Sequence, residues 1–116
     1  PLASVVGTYA IKVLIDRQLS KNAMIRGNQL MNHYESIKQD FPDKIKEVRG
    51  KGLLTAFEMF DSPKLDGHKV SVELLNQGIY AKETHHSTVR IAPALTIEAW
   101  QIDDMAESIR DVISNL

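Results

Sequence analysis

The feature that most constrains the fold of this chain is a change of hydrophobic period at Pro42. Ahead of it apolar residues recur at helical spacing, and behind it they alternate in the manner of strands. In residues 2–17, Leu2, Val5, Val6, Tyr9, Ala10, Val13 and Leu14 fall on one stripe of 3.6-residue period, which predicts a first helix weakened slightly by Gly7. A second helix is expected from Ser20, a good N-cap residue type, with Ala23, Gly27, Leu30, Met31, Tyr34, Ile37 and Phe41 on its apolar face. Pro42 ends it, because proline lacks the amide proton that a helix interior needs.

From Ile45 the stretch KEVRGKGLLTAFEMF reads as two short strands around Gly50-Lys51-Gly52. Phe57 and Met59 fall on one face of the second strand, and Ala56, Glu58 and Phe60 on the other. The two glycines suit a turn or a close backbone approach. They do not make a phosphate loop, which needs a longer glycine-rich spacing and a following helix with Ser or Thr. DSPKLDG, residues 61–67, is a loop by composition. A short helix carrying Val70, Leu74 and Leu75 follows, with Gly78 just beyond its end. IYAK is the next expected strand, ETHHS a polar link and TVRIA another strand, stopped by Pro93. For the last helix, Thr96 is the expected N-cap, with Leu95 stapled onto Trp100. Its inner face is Ile102, Met105, Ala106, Ile109, Val112, Ile113 and Leu116.

The element order ααββαββα predicts an α+β fold, a small, mostly antiparallel sheet of about four strands covered by helices on one face. With 116 residues and 43% hydrophobic content the chain has material for a single domain. Residues 1–41 would form a helical connection and 45–116 the small sheet domain. No apolar run approaches the roughly 18 residues that cross a bilayer, so a membrane is not an expected partner. Cysteine is absent, which removes disulfides, thiolate metal sites and a thiol nucleophile.

Charge is split along the chain. Residues 1–51 hold nine Lys/Arg against five Asp/Glu, and residues 52–116 five against ten. The basic residues of the first half are scattered and not interleaved with aromatics, so nucleic acid is not an expected partner. A helix-turn-helix reading of the first two helices fails similarly, since the second offers mostly Asn, Gln, Met and His on its outer face.

No serine has a nucleophile-elbow context, and the carboxylates are dispersed. His85 and His86 would point to opposite faces of an extended backbone, so a shared metal is not expected. Arg90 differs. Strand alternation turns Val89 and Ile91 to the core and the guanidinium to the other side. A planar fork on a stiff strand suits two parallel hydrogen bonds to a carboxylate. An arginine so placed is also commonly solvated or salt-bridged, and the pattern alone leaves both readings open.

Three segments together resemble the C-terminal part of class III, ornithine-type, pyridoxal-phosphate aminotransferases. PLASVVGTYAIKVL is similar to the helix after that family's Gly-Gly-Asn-Pro-Leu turn, and EVRGKGLLTAFEM to its Val-Arg-Gly-Lys-Gly-Leu segment. GIYAKETHHSTVRIAPALTI resembles its Gly-Leu-x-Ala-Lys-x-Thr-His and Ile-Arg-Phe-Ala-Pro-Pro-Leu segments, with His86-Ser87 where Gly-Asp is common and Ile91 and Ala94 in place of Phe and Pro. The resemblance implies the small C-terminal domain of a fold-type I enzyme that moves the δ-amino group of ornithine to 2-oxoglutarate. It implies substrate-carboxylate binding by Arg90 and an active-site margin at Thr84 and His85. It further implies a homodimer, in the cytoplasm or mitochondrial matrix, whose pyridoxal phosphate is held by a large domain ahead of Pro1. No lysine here matches the cofactor lysine, so the fragment alone is expected to be inactive, with no catalytic, cofactor or metal residue of its own. The alternatives are an acetylornithine- or aminobutyrate-type relative and a non-catalytic α+β interaction module. The first helix and one sheet face are expected to expose apolar surface and to drive self-association.

Overall fold

The computed structural model describes residues 1–116. Eight elements follow in the order α1 (Leu2–Asp16), α2 (Leu19–Asp40), β1 (Ile45–Lys51), β2 (Leu54–Met59), α3 (Gly67–Asn76), β3 (Lys82–Thr84), β4 (Thr88–Ile91) and α4 (Ala99–Ser114). The strands form one sheet in the order β1-β2-β4-β3, with every neighbouring pair antiparallel. This is the expected ααββαββα fold.

Period-2 alternation sorts the sheet into two faces. Thr55, Phe57 and Met59 of β2 and Val89 and Ile91 of β4 are buried, and the apolar ones share one cluster with side chains of α2, α3 and α4. Leu30, Tyr34 and Ile37 from α2, Val70 and Leu74 from α3, and Ile102, Ile109, Val112 and Ile113 from α4 complete the core. Fully burying each such side chain contributes about 1.5–3 kcal/mol, so the apolar stripes are what fix the helices on the sheet. The opposite sheet face is uncovered. α1 also stands apart, since none of its residues is buried and Leu2, Val5, Val6, Tyr9, Ile11 and Ile15 are exposed. A 15-residue helix is about 22 Å long, and its projection explains a longest dimension of 51 Å against 26 and 22 Å for the others.

The β1–β2 hairpin turns on Gly52-Leu53, with Gly52 at φ +57°, a conformation that L side chains rarely adopt. α2 packs directly on this turn. A Cβ on Gly27 would lie 2.1 Å from the Gly52 carbonyl oxygen, and one on Gly50 2.8 Å from that of Leu54. The glycine pair of the RGKG segment is thus a structural turn, met by a third glycine from α2.

Three expectations about element ends need correction. Ser20 is not the cap of α2. The chain passes from α1 to α2 through Gln18, whose left-handed backbone (φ 50°, ψ 46°) occupies the cap position and makes no side-chain cap bond, while Leu19 is already helical and buried. Thr96 is not the cap of α4 either. Glu98 caps that helix in a reciprocal box with Gln101, whose Oε1 accepts from the Glu98 amide at 2.9 Å. The apolar pair around the cap is therefore Ile97 and Ile102, both associated with the core, whereas Leu95 and Trp100 are exposed. The third correction concerns β3, which runs over Lys82–Thr84 and shares only Lys82 with the expected IYAK. Its span is set by pairing with β4: Lys82, Glu83 and Thr84 lie opposite Arg90, Val89 and Thr88.

Candidate active site

Arg90 lies on β4, which is paired on both flanks, with Ala56 of β2 on one side and Lys82 of β3 on the other. Its neighbours Val89 and Ile91 are 0% and 2% exposed, so the backbone beneath it is anchored in the core while the guanidinium is exposed on the uncovered face. The guanidinium makes no hydrogen bond or ion pair within the chain.

Below the strand a buried relay fixes its end. Thr55 Oγ1 donates to the Ile91 carbonyl at 2.8 Å and shares a 3.1 Å hydrogen bond with Tyr34 Oη. Since the single threonine proton serves Ile91, the Tyr34 hydroxyl is the donor to Thr55. The Tyr34 ring meets Phe57 edge to face at 5.7 Å between centroids. Burial pushes the Tyr34 pKa well above the ordinary tyrosine value, only partly opposed by the bond to Thr55. The residue after Arg90 is thus tied through β2 to α2, which limits how far the guanidinium can drift. Sequence reasoning missed this relay. The available signal was Thr55, a polar residue at an inward position of a strand whose other inward residues are Phe57 and Met59.

On the uncovered face one cross-strand row reads Arg49, Ala56, Arg90, Lys82. The next row holds Glu47, Glu58, Thr88 and Thr84. Glu58 accepts from Lys46 Nζ and Arg49 Nη1, each at 2.9 Å. First the Lys46 bond and then the Arg49 bond hold its carboxyl below the usual range, and the Glu58 bond correspondingly raises Lys46. Thr84, half-buried at the end of β3, shares the Arg90 face one row away. His85 and His86 are exposed in the β3–β4 turn, with φ 51° and 64°. They are not on an extended backbone, as the sequence suggested. The His86 carbonyl accepts from the Gly67 amide at 2.8 Å, docking this turn on the start of α3. No group of three or more His, Asp or Glu residues is arranged to hold a metal ion.

Comparison with known proteins decides the family. Residues 1–113 match the family described as Aminotransferase class-III. The chain belongs to the class-III aminotransferases. It is 35% identical over 116 residues to the mitochondrial ornithine aminotransferase of Arabidopsis thaliana, covering 97% of this chain and 24% of that protein. The acetylornithine aminotransferase of Elizabethkingia anophelis superposes with a TM-score of 0.92 at 34% identity, over 100% of this chain and 29% of that one. An ornithine aminotransferase of Toxoplasma gondii, described with partial occupancy of PLP at its active site, gives 0.88 at 33% identity over 97% and 26% of the two chains. This class-III chain therefore spans about a quarter of the length of such relatives.

A pyridoxal phosphate site needs a lysine amine for the aldehyde carbon, an acid facing the ring nitrogen and donors around the phosphate. The lysines that could offer such an amine in this chain lie at or near its surface. None of its nine lysines is buried. Lys44 donates to the Ile113 and Ser114 carbonyls, and Lys46 is bound to Glu58. What the class-III fold carries here is a guanidinium on a stiff sheet, presented outward.

Proposed function

We propose that this chain is the small-domain portion of an ornithine-type aminotransferase and that Arg90 binds the carboxylate of its amino and oxo acid substrates. The observation that carries the reading is the unpaired guanidinium on a strand anchored from both flanks and from below. Such an arginine offers two parallel N–H donors without first breaking an internal ion pair. Because its strand is held, the donors need little further ordering when ligand arrives, and binding energy goes into orientation of the acid. Thr84, on the same face, and His85, at the nearby turn, form the margin of the site.

In the whole enzyme pyridoxal phosphate supplies the electron sink for amino-group transfer, and residues outside this chain hold it. The chain's own part is to seat a carboxylate. The exposed apolar stripe of α1 would meet the cofactor-binding large domain, within a homodimer located in the cytoplasm or the mitochondrial matrix. The name of the Arabidopsis relative supports the latter location. Alone, the chain neither retains cofactor nor transfers amino groups. A lysine-bound cofactor absorbance on adding pyridoxal phosphate to it would contradict this.

The test is Arg90→Lys in the full-length enzyme, assayed separately with amino and oxo acid. Losing a charge-assisted bidentate pair should lower kcat/KM by roughly 10- to 100-fold for both. Unchanged kinetics would remove the assigned role. The same enzyme, offered ornithine, N-acetylornithine and aminobutyrate in parallel, should prefer ornithine; preference for another donor would move the chain to a sister class-III activity.

A further inference from the structure

The uncovered face carries one acid close enough to compete for Arg90, and its position in the ladder makes the competition direct. Glu58 lies two residues along β2 from Ala56, the residue opposite Arg90. It is therefore a diagonal neighbour of Arg90, at a Cα separation of roughly 7–8 Å that long side chains span. An ionised glutamate there would ordinarily take the guanidinium. It does not: the carboxylate is drawn the other way, toward β1, where Oε1 accepts from Lys46 and Oε2 from Arg49, each at 2.9 Å.

The engagement depends on an irregularity in β1. The β1–β2 register shifts between Ile45 and Glu47, a bulge that lets Lys46 reach the same acid as Arg49. In a regular strand residues 46 and 49 would project to opposite faces. Arg49 also neutralises Glu47, the residue directly opposite Glu58, at 3.6 Å. The remaining nearby acid, Glu83, stands opposite the buried Val89 and so faces the covered side of the sheet, with its Oε2 3.1 Å from His68 Nδ1. As a stabilising element an exposed ion pair contributes little, so fold stability alone does not account for a bulge that brings two cations to one carboxylate.

We propose that the Lys46–Glu58–Arg49 clamp is a positioning device that holds the acid of the uncovered sheet face away from Arg90, keeping that guanidinium open to a carboxylate ligand. Lys46 and Arg49 touch neither substrate nor cofactor in this scheme and act through Glu58. The inference rests on the carboxylate-binding reading of Arg90, and the experiment separates the two.

In the full-length enzyme, K46M/R49M frees Glu58 to pair with Arg90. With an exposed-pair strength for that competing contact, KM for the oxo acid should rise roughly three- to sixfold with kcat little changed. Adding E58Q to the same background removes the competitor and should return KM to within about twofold of the parent enzyme. A merely structural role for the two cations would give no such rescue. Should the double substitution prevent folding, K46M alone, at a half-exposed side chain, releases one oxygen and should raise KM about twofold, again reversed by E58Q. Unchanged KM in the clamp variants, or a rise that E58Q does not reverse, overturns the clamp while leaving Arg90 in place. If R90K itself leaves KM unchanged, the underlying reading fails instead.

Discussion

Gly27→Ala tests the packing of the fold most sharply, because two principles give opposite signs. Alanine in a helix interior is favoured over glycine by about 0.8–1 kcal/mol, so propensity alone predicts a more stable protein. Here the new methyl would meet the Gly52 oxygen at 2.1 Å, its carbonyl carbon at 2.4 Å and its Cα at 2.8 Å. All three are backbone atoms of a hairpin turn and cannot swing aside like a side-chain tip. Reaching ordinary contact at 3.4 Å would need α2 to retreat by roughly 1.3 Å along a face that also carries the buried Leu30 and Tyr34. Overpacking of this kind costs about 3 kcal/mol at the upper end of the usual range, leaving a net loss of about 2 kcal/mol after the helix gain. For a domain of this size that lowers Tm by about 6–10 °C. Gly7→Ala is the control, since a Cβ there has nothing within 4 Å, and it should melt at or above the parent temperature. Circular dichroism melts of the three proteins decide the matter. A Gly27→Ala protein as stable as Gly7→Ala would refute the claim that α2 rests on the turn.

Other outcomes follow from the same geometry. Glu98→Ala should destabilise the chain by about 1 kcal/mol in urea unfolding by opening the capping box, whereas Thr96→Ala should stay within about 0.5 kcal/mol, the reverse of what the sequence alone suggests. Tyr34 has a folded pKa raised above its unfolded value near 10, so its contribution is complete below that pH and is lost as pH rises beyond it. Alkaline unfolding should accordingly be steeper in the parent than in Tyr34→Phe, and identical profiles would contradict the assignment. The exposed α1 stripe should make the isolated chain associate, seen as a mass that rises with concentration in sedimentation, and a strict monomer would count against it.

How much of this was legible in the sequence depended on whether one element or two determined the feature. The inner faces of α2 and α4, the sidedness of β2 and the outward direction of Arg90 are single-element properties, set by period, and all stand where the pattern places them. Element ends did not follow, because Ser20 and Thr96 are suitable cap types whose positions the chain does not use. Gln18 takes a left-handed turn that brings Leu19 into the core, and Ile97 with Ile102 sets the start of α4 from Glu98. β3 was misplaced because a three-residue edge strand owes its position to its partner. The adjacent histidines at positive φ carry only a weak compositional hint, since histidine enters that region more often than most side chains but still uncommonly. For the site, the sequence could aim Arg90 but could not reveal that Thr55 and Tyr34 tie down its strand, or that Lys46 and Arg49 occupy Glu58. Those are cross-strand facts, and only the register brings them together.

The most direct measurement is a crystal structure of the full-length enzyme with a dicarboxylic oxo acid or an unreactive analogue bound. Two parallel N–H···O bonds of about 2.7–2.9 Å should run from Arg90 to one carboxylate, with Glu58 still held by Lys46 and Arg49. A ligand whose carboxylates are both held elsewhere, leaving Arg90 in solvent or paired with an acid of the protein, would contradict it.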